Sequence, residues 1–206
     1  MSFRWKFAPV VSNIVMETVA SLNMEVRTMV VWREIWSIMT SLFIQFGQSE
    51  NIDIAKNILN VIQSLSTPFL QKEETSKMHH KGTFLITYYE IFETQENMEV
   101  KAYILDIVRY LIEKFGDKLQ SGWEAIMQVL IGSAQQPKLI AKALEIFQEV
   151  VIKNFIYIKD YQYEFLFNAF VLFVMKDNKD KSALQVVGLL PIIADNLTSK
   201  DEDIWT

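Results

Sequence analysis

Phe115-Gly116-Asp117-Lys118-Leu119-Gln120-Ser121-Gly122-Trp123-Glu124-Ala125-Ile126 holds a helix stop and a helix start within a few residues. Gly116 suits the left-handed conformation that closes a helix after Phe115. Ser121, with Glu124 three residues on, has the spacing of a capping box for a new helix. Trp123 then falls in the first turn, where a large aromatic fills the space between stacked helices more often than it faces a partner. The stretch is therefore expected to be a corner between two packed helices, with Trp123 buried.

Outward from this corner, composition favours helix throughout. Half of the 206 residues are hydrophobic, and only 6 Gly and 4 Pro punctuate them, too few for a protein of many short strands. A helix is expected over residues 9–22, with Val10, Ile14, Val15, Val19 and Leu22 on one face, and a second from Met29 to about Phe46, where Gly47 ends it. The third spans Asn51 to Leu65 and closes at Ser66-Thr67-Pro68. The polar segment Gln71 to Gly82 reads as the longest loop and the preferred site of proteolysis. Helices follow over 84–92, 97–115, 123–131, 138–154, 161–175 and 181–196, the last kinked or ended by Pro191. That makes about nine.

The second members of successive helix pairs start at Asn51, Asn97, Pro137 and Asp177, spaced by 46, 40 and 40 residues. In phase with those starts, Ile54, Val100 and Ile140 coincide, as do Ile58, Ile104, Leu144 and Leu184, then Val61, Ile107, Phe147 and Val187, then Leu65, Leu111 and Val151. A helix pair recurring at such a period indicates an all-α, HEAT- or armadillo-like solenoid in which each pair buries its apolar face on its neighbours. The whole chain is expected to form one helical-repeat domain.

Little in this sequence points to chemistry. The net charge of −5 gives no basic footprint for nucleic acid. With no Cys there is neither a disulfide framework nor a thiolate metal site. His79 and His80 are adjacent, so they lack the one-face spacing of a helical metal site. The glycines are isolated rather than gathered in a phosphate-binding loop. Glu73-Glu74 and Asp201-Glu202-Asp203 read as solvated charge. The most apolar run, Phe165 to Met175, falls short of the roughly 18 residues that span a bilayer. Trp32, Trp36 and Trp123 are expected in the core, and Trp5 and Trp205 near the ends. No catalytic, cofactor-binding or metal-binding residue is expected.

A family resemblance sharpens this. Asn23-Met24, Arg27 and Trp32-Arg33-Glu34-Ile35-Trp36, followed in order by Phe69-Leu70-Gln71-Lys72-Glu73, by Phe92 with Glu99-Val100-Lys101, and by Ser121-Gly122-Trp123 with Ile126, resemble the region just downstream of the catalytic domain in the large Golgi Arf guanine-nucleotide exchange factors of the Sec-seven, or brefeldin-inhibited, type. The similarity runs from about Met16 to Leu197. Two departures are a longer spacing between Asn23 and Trp32 and Gln120 where a basic residue stands in the family. The resemblance implies that residues 1–206 are a single non-enzymatic regulatory domain, a fragment of a much larger protein, peripheral to Golgi or trans-Golgi membranes. It would be recruited through an activated Arf-family GTPase, relieve autoinhibition and need no cofactor. Non-exchanging Mon-two-like regulators share this architecture, and a generic repeat adaptor is the remaining alternative. In such arrays the second helix of each pair usually lines the concave side, so Lys101, Arg109, Lys138 and Lys142 are the expected partner-binding residues.

Overall fold

The computed structural model describes residues 29–71, 80–176 and 180–202. The expected helix over 9–22, the Asn23 to Arg27 motif, Trp5, His79 and Trp205 lie outside them. The described residues are helical, with no strand. Helices α1 (Met29–Gly47) and α2 (Ile52–Leu70) form the first pair, α3 (His80–Thr94) and α4 (Met98–Phe115) the second, and α5 (Gly122–Ala134) and α6 (Ile140–Glu149) the third. The fourth consists of α7 (Tyr163–Lys176) with two shorter helices, α8 (Asp180–Val187) and α9 (Leu190–Glu202).

Helical-repeat packing follows from the contacts. The first members stack in order, α1 on α3, α3 on α5 and α5 on α7, and the second members α2, α4 and α6 stack beside them. One continuous apolar core runs between the two layers. It contains most of the residues that the repeat period aligned in the first three pairs: Val100, then Ile58, Ile104 and Leu144, then Val61, Ile107 and Phe147, then Leu65, Leu111 and Val151; Ile54 and Ile140, aligned with Val100, are only half-buried. Equivalent starts are capped alike. Asn51 accepts from the amides of Asp53 and Ile54, and Asn97 from those of Glu99 and Val100, so each supplies two of the orphan donors of a helix N-terminus with a partner.

The periodicity fails in the fourth pair. Leu184 is 69% exposed and Val187 is also exposed, while Val186, Leu189 and Ile193 are buried instead. The helix expected over 181–196 breaks at Gly188, whose amide donates to the Leu184 carbonyl. Pro191 neither kinks nor ends a helix but sits in the first turn of α9, where its missing amide would have had no intrahelical partner.

Three further boundaries differ from expectation for physical reasons. Helix α2 runs through Pro68 to Leu70. A proline inside a helix costs about 3 kcal/mol, but the extension buries Phe69 and Leu70 completely or nearly so, at about 1.5–3 kcal/mol each. Helix α3 begins at His80, so Lys81 and Gly82 belong to a packed helix rather than to a cleavable loop. The helix expected over 138–154 becomes α6 followed by a π-helical turn at Val150–Asn154; the wider turn lets the consecutive Val150 and Val151 both face the core.

At the corner around Gly116, Trp123 is fully buried as expected, but the capping differs. Gly116 is right-handed (φ −52°), and the residue with positive φ is Gln120 (φ 48°). Gly116 is needed for closeness: an added Cβ would lie 2.2 Å from Asn154 Oδ1. Ser121 makes no capping bond to its own helix; its hydroxyl accepts from the Gly82 amide at 2.8 Å. The corner is thus tied to the preceding repeat. Lys81 Nζ donates to the Lys118 carbonyl at 2.7 Å, and from the following repeat Gln162 Nε2 donates to the Gln120 carbonyl at 2.8 Å.

Candidate interaction surface

The two helix layers present different outer faces. Along the second-member layer, long polar side chains bridge successive repeats. Lys56 of α2 pairs with Glu99 of α4 at 2.6 Å, and the Tyr103 hydroxyl donates to Asn60. From α6, Lys142 pairs with Asp106 at 2.6 Å and donates to the Ala102 carbonyl at 3.1 Å. Arg109 reaches Glu149 and Glu113. Its hydrogen bond to Glu149 holds the guanidinium above its ordinary range, as the hydrogen bond to Glu99 does for the Lys56 ammonium. These shifts lock charge in place; none brings a lysine toward the neutral form that amine chemistry would use.

The four expected partner-binding residues therefore occupy three kinds of place. Arg109 and Lys142 are rungs of the ladder and already hold carboxylates. Lys101 is only 7% exposed, with its ammonium 4.8 Å from the centre of the Phe92 ring. Lys138 is exposed just before α6. The ladder itself was overlooked in the sequence, although opposite charges and polar partners recurring 36 to 43 residues apart, as at 106 and 142 or 56 and 99, are a usable signal.

The first-member layer carries exposed apolar surface together with acidic side chains. Between α3 and α5 lies a cleft of about 450 Å³, lined by Gly82, Thr83, Ile86, Glu124, Ala125 and Tyr161. Tyr161 is 55% exposed. It leads into α7, where Phe167, Val171 and Met175 form an exposed stripe at i, i+4 and i+8. Exposed or half-buried charged side chains described on α3, α5 and α7 are all carboxylates: Glu90, Glu93, Glu124 and Glu164. Burial pushes the Glu90 carboxyl above its usual range. The lysine of α3, Lys81, is buried and donates to the Lys118 carbonyl.

Among the described residues no group of His, Cys, Asp and Glu could hold a metal ion, and no helix is long and apolar enough to cross a membrane. What the geometry offers is surface for macromolecular contact.

Residues 68–149 match the family model described as Mon2/Sec7/BIG1-like, HDS. The chain is 26% identical over 144 residues to Brefeldin A-inhibited guanine nucleotide-exchange protein 1 of Arabidopsis thaliana, covering 69% of this chain and 8% of that protein. It is 30% identical over 113 residues to the ADP-ribosylation factor guanine nucleotide-exchange factor sec72 of Schizosaccharomyces pombe, covering 55% of this chain and 6% of that protein. The match thus spans less than a tenth of the length of either relative. Over most of the second and third helix pairs this chain is thus similar to the Sec7-like HDS region, and over 113 to 144 residues to large Arf exchange factors.

Proposed function

We propose that this chain is a regulatory region of a large Arf exchange factor, placed just after the catalytic exchange domain. It binds an Arf-family GTPase more tightly in the GTP form than in the GDP form, and so promotes recruitment to Golgi membranes and relief of autoinhibition without accelerating exchange itself. The observation that carries this reading is the HDS match over residues 68–149, which includes the corner around Gly116 and the ladder pairs made by Arg109 and Lys142. The acidic balance of the chain argues for recruitment through a protein partner rather than through a polybasic patch on anionic lipid.

The experiment is liposome flotation of the chain with lipidated Arf loaded with GTP or GDP. Recovery on GTP-Arf liposomes well above that on GDP-Arf or bare liposomes is expected; equal recovery in all three overturns the mechanism. Charge reversal at Arg109, Lys138 and Lys142 tests the second-member layer as the contact, with the buried Lys101 left intact. If recovery survives that triple reversal, the GTPase docks elsewhere. Because the matching family model spans Mon2 as well as Sec7, a non-exchanging trafficking regulator is the second reading. It makes the same recruitment prediction and differs only in lacking an exchange domain in the full-length protein.

A further inference from the structure

The two faces differ in the one property that selects a docking partner, the sign of the charge around exposed apolar area. On the second-member layer the cations are matched by carboxylates across repeats. On the first-member layer the α3/α5 cleft and the α7 stripe are apolar, and the described exposed or half-buried charge on helices α3, α5 and α7 is acidic, from Glu90 and Glu93 on α3 to Glu124 on α5 and Glu164 on α7, with the exposed Lys159 and Asp160 side by side in the connection that precedes α7. We propose that this face, formed by Thr83, Ile86, Ala125 and Tyr161 of the cleft with Phe167, Val171 and Met175 of α7, docks a basic amphipathic helix of a protein partner.

Geometry and charge both select that occupant. The exposed α7 residues recur at i, i+4 and i+8, so the stripe spans about 12 Å, two helical turns, and presents a straight ridge of the kind a second helix packs against. The apolar side of an amphipathic helix would lie on this ridge and put an aliphatic anchor into the cleft, whose volume of about 450 Å³ holds one or two such side chains. Lysines or arginines flanking the apolar stripe of the incoming helix would then meet Glu124 and Glu164. An anionic membrane surface would be repelled by those carboxylates, as would an acidic helix.

The test uses the 206-residue chain and a pair of fluorescein-labelled synthetic helices. One is patterned from Leu and Lys at the helical period, and the other is its Leu/Glu counterpart. Anisotropy titration should show saturable binding of the Leu/Lys helix at micromolar concentration, weakening as salt is raised, and binding of the Leu/Glu helix at least tenfold weaker. The double variant Glu124→Lys/Glu164→Lys should lose at least tenfold. Glu113→Lys/Glu145→Lys, which changes net charge equally on the other layer, should lose less than threefold. Val171→Asp/Met175→Asp, at positions already exposed, should also abolish binding with the circular dichroism spectrum unchanged. If either charge-reversal pair acts like the other, or if both peptides bind alike, the interaction is nonspecific and the proposal fails. Should Glu124→Lys/Glu164→Lys misfold, Glu124→Gln/Glu164→Gln makes the same comparison, with a loss of at least threefold expected and no loss fatal. Capture on phosphatidylserine vesicles that Val171→Asp/Met175→Asp abolishes would assign the face to membrane and likewise overturn it.

Discussion

The same helix pair is stacked in two different ways on the two sides of this molecule. Between α3 and α5 the backbones come close because side chains are missing where they cross. A Cβ on Gly122 would lie 2.5 Å from Leu85 Cδ1, one on Gly132 would lie 2.9 Å from the Phe92 ring, and one on Gly82 would lie 3.1 Å from the Ser121 carbonyl oxygen. Between α2, α4 and α6 there is no such approach, and lysine, arginine and tyrosine side chains bridge the gap to carboxylates and amides on the next repeat. Dispersion and desolvation in a dry, close-packed seam hold the first layer, whereas solvent-screened ion pairs decorate the second. Stability should therefore reside in the first layer, and the second should tolerate change.

The hardest blow to that contrast is Trp123→Ala, which empties the largest fully buried side chain of the first layer. It should cost about 3–5 kcal/mol in chemical denaturation; an unchanged midpoint would break the comparison at once. Gly122→Val comes next. It drives two methyl groups toward Leu85 and should cost about 1–3 kcal/mol through overpacking, so a neutral result would mean the α3/α5 seam can open without penalty.

A smaller effect probes the aromatic interior that joins the layers, where Trp36 stacks on Phe84 at 4.0 Å and Phe84 on Phe69 at 4.3 Å. Nearby, the Ser66 hydroxyl donates to the Ile62 carbonyl at 2.8 Å, so in its 3.2 Å contact with Tyr88 it is the tyrosine that donates. Tyr88→Phe should cost about 1 kcal/mol at neutral pH. Burial pushes the Tyr88 phenol well above its usual range. The unfolded chain then ionises first as pH rises, the folded state keeps its proton, and stability falls above about pH 10 by up to roughly 1.4 kcal/mol per pH unit. Tyr88→Phe should flatten that alkaline limb in pH-dependent urea melts, and a limb of unchanged slope would assign it to another group. The smallest change is expected in the ladder: Lys142→Met keeps the aliphatic stem, removes the pair with Asp106, and should shift stability by under about 1 kcal/mol, less still at high salt. A loss comparable to Trp123→Ala would make the ladder a structural support and erase the difference between the layers.

Much of the array was legible before any coordinates. Periodicity located most of the buried positions along α2, α4 and α6 because an apolar side chain recurring at i, i+3 or i+4 usually faces a neighbouring helix. Asn51 and Asn97 were found as equivalent starts because a cap is a local bond between a residue and amides two and three positions on. Where two uses of a residue compete, sequence alone misled. Gly116 was read as a left-handed cap and Ser121 as a capping-box residue, but glycine serves equally to let another chain segment approach, and a serine hydroxyl bonds a distant amide as readily as a near one. Leu184 and Val187 kept the phase yet lost the burial, since the break at Gly188 turns the next helix elsewhere.

What the sequence by itself determined was the all-α repeat, its period and the HDS resemblance, because these depend on short-range propensity and on order along the chain. Only the tertiary structure decided which cations are free. Lys101, Arg109 and Lys142 look alike with Lys138 as residues on a basic list, but the first is folded over Phe92 and the next two are committed to carboxylates some 36 to 40 residues away. Whether a charge is available to a partner depends on what stands opposite it in space, and that follows from the stacking of repeats rather than from the residue type.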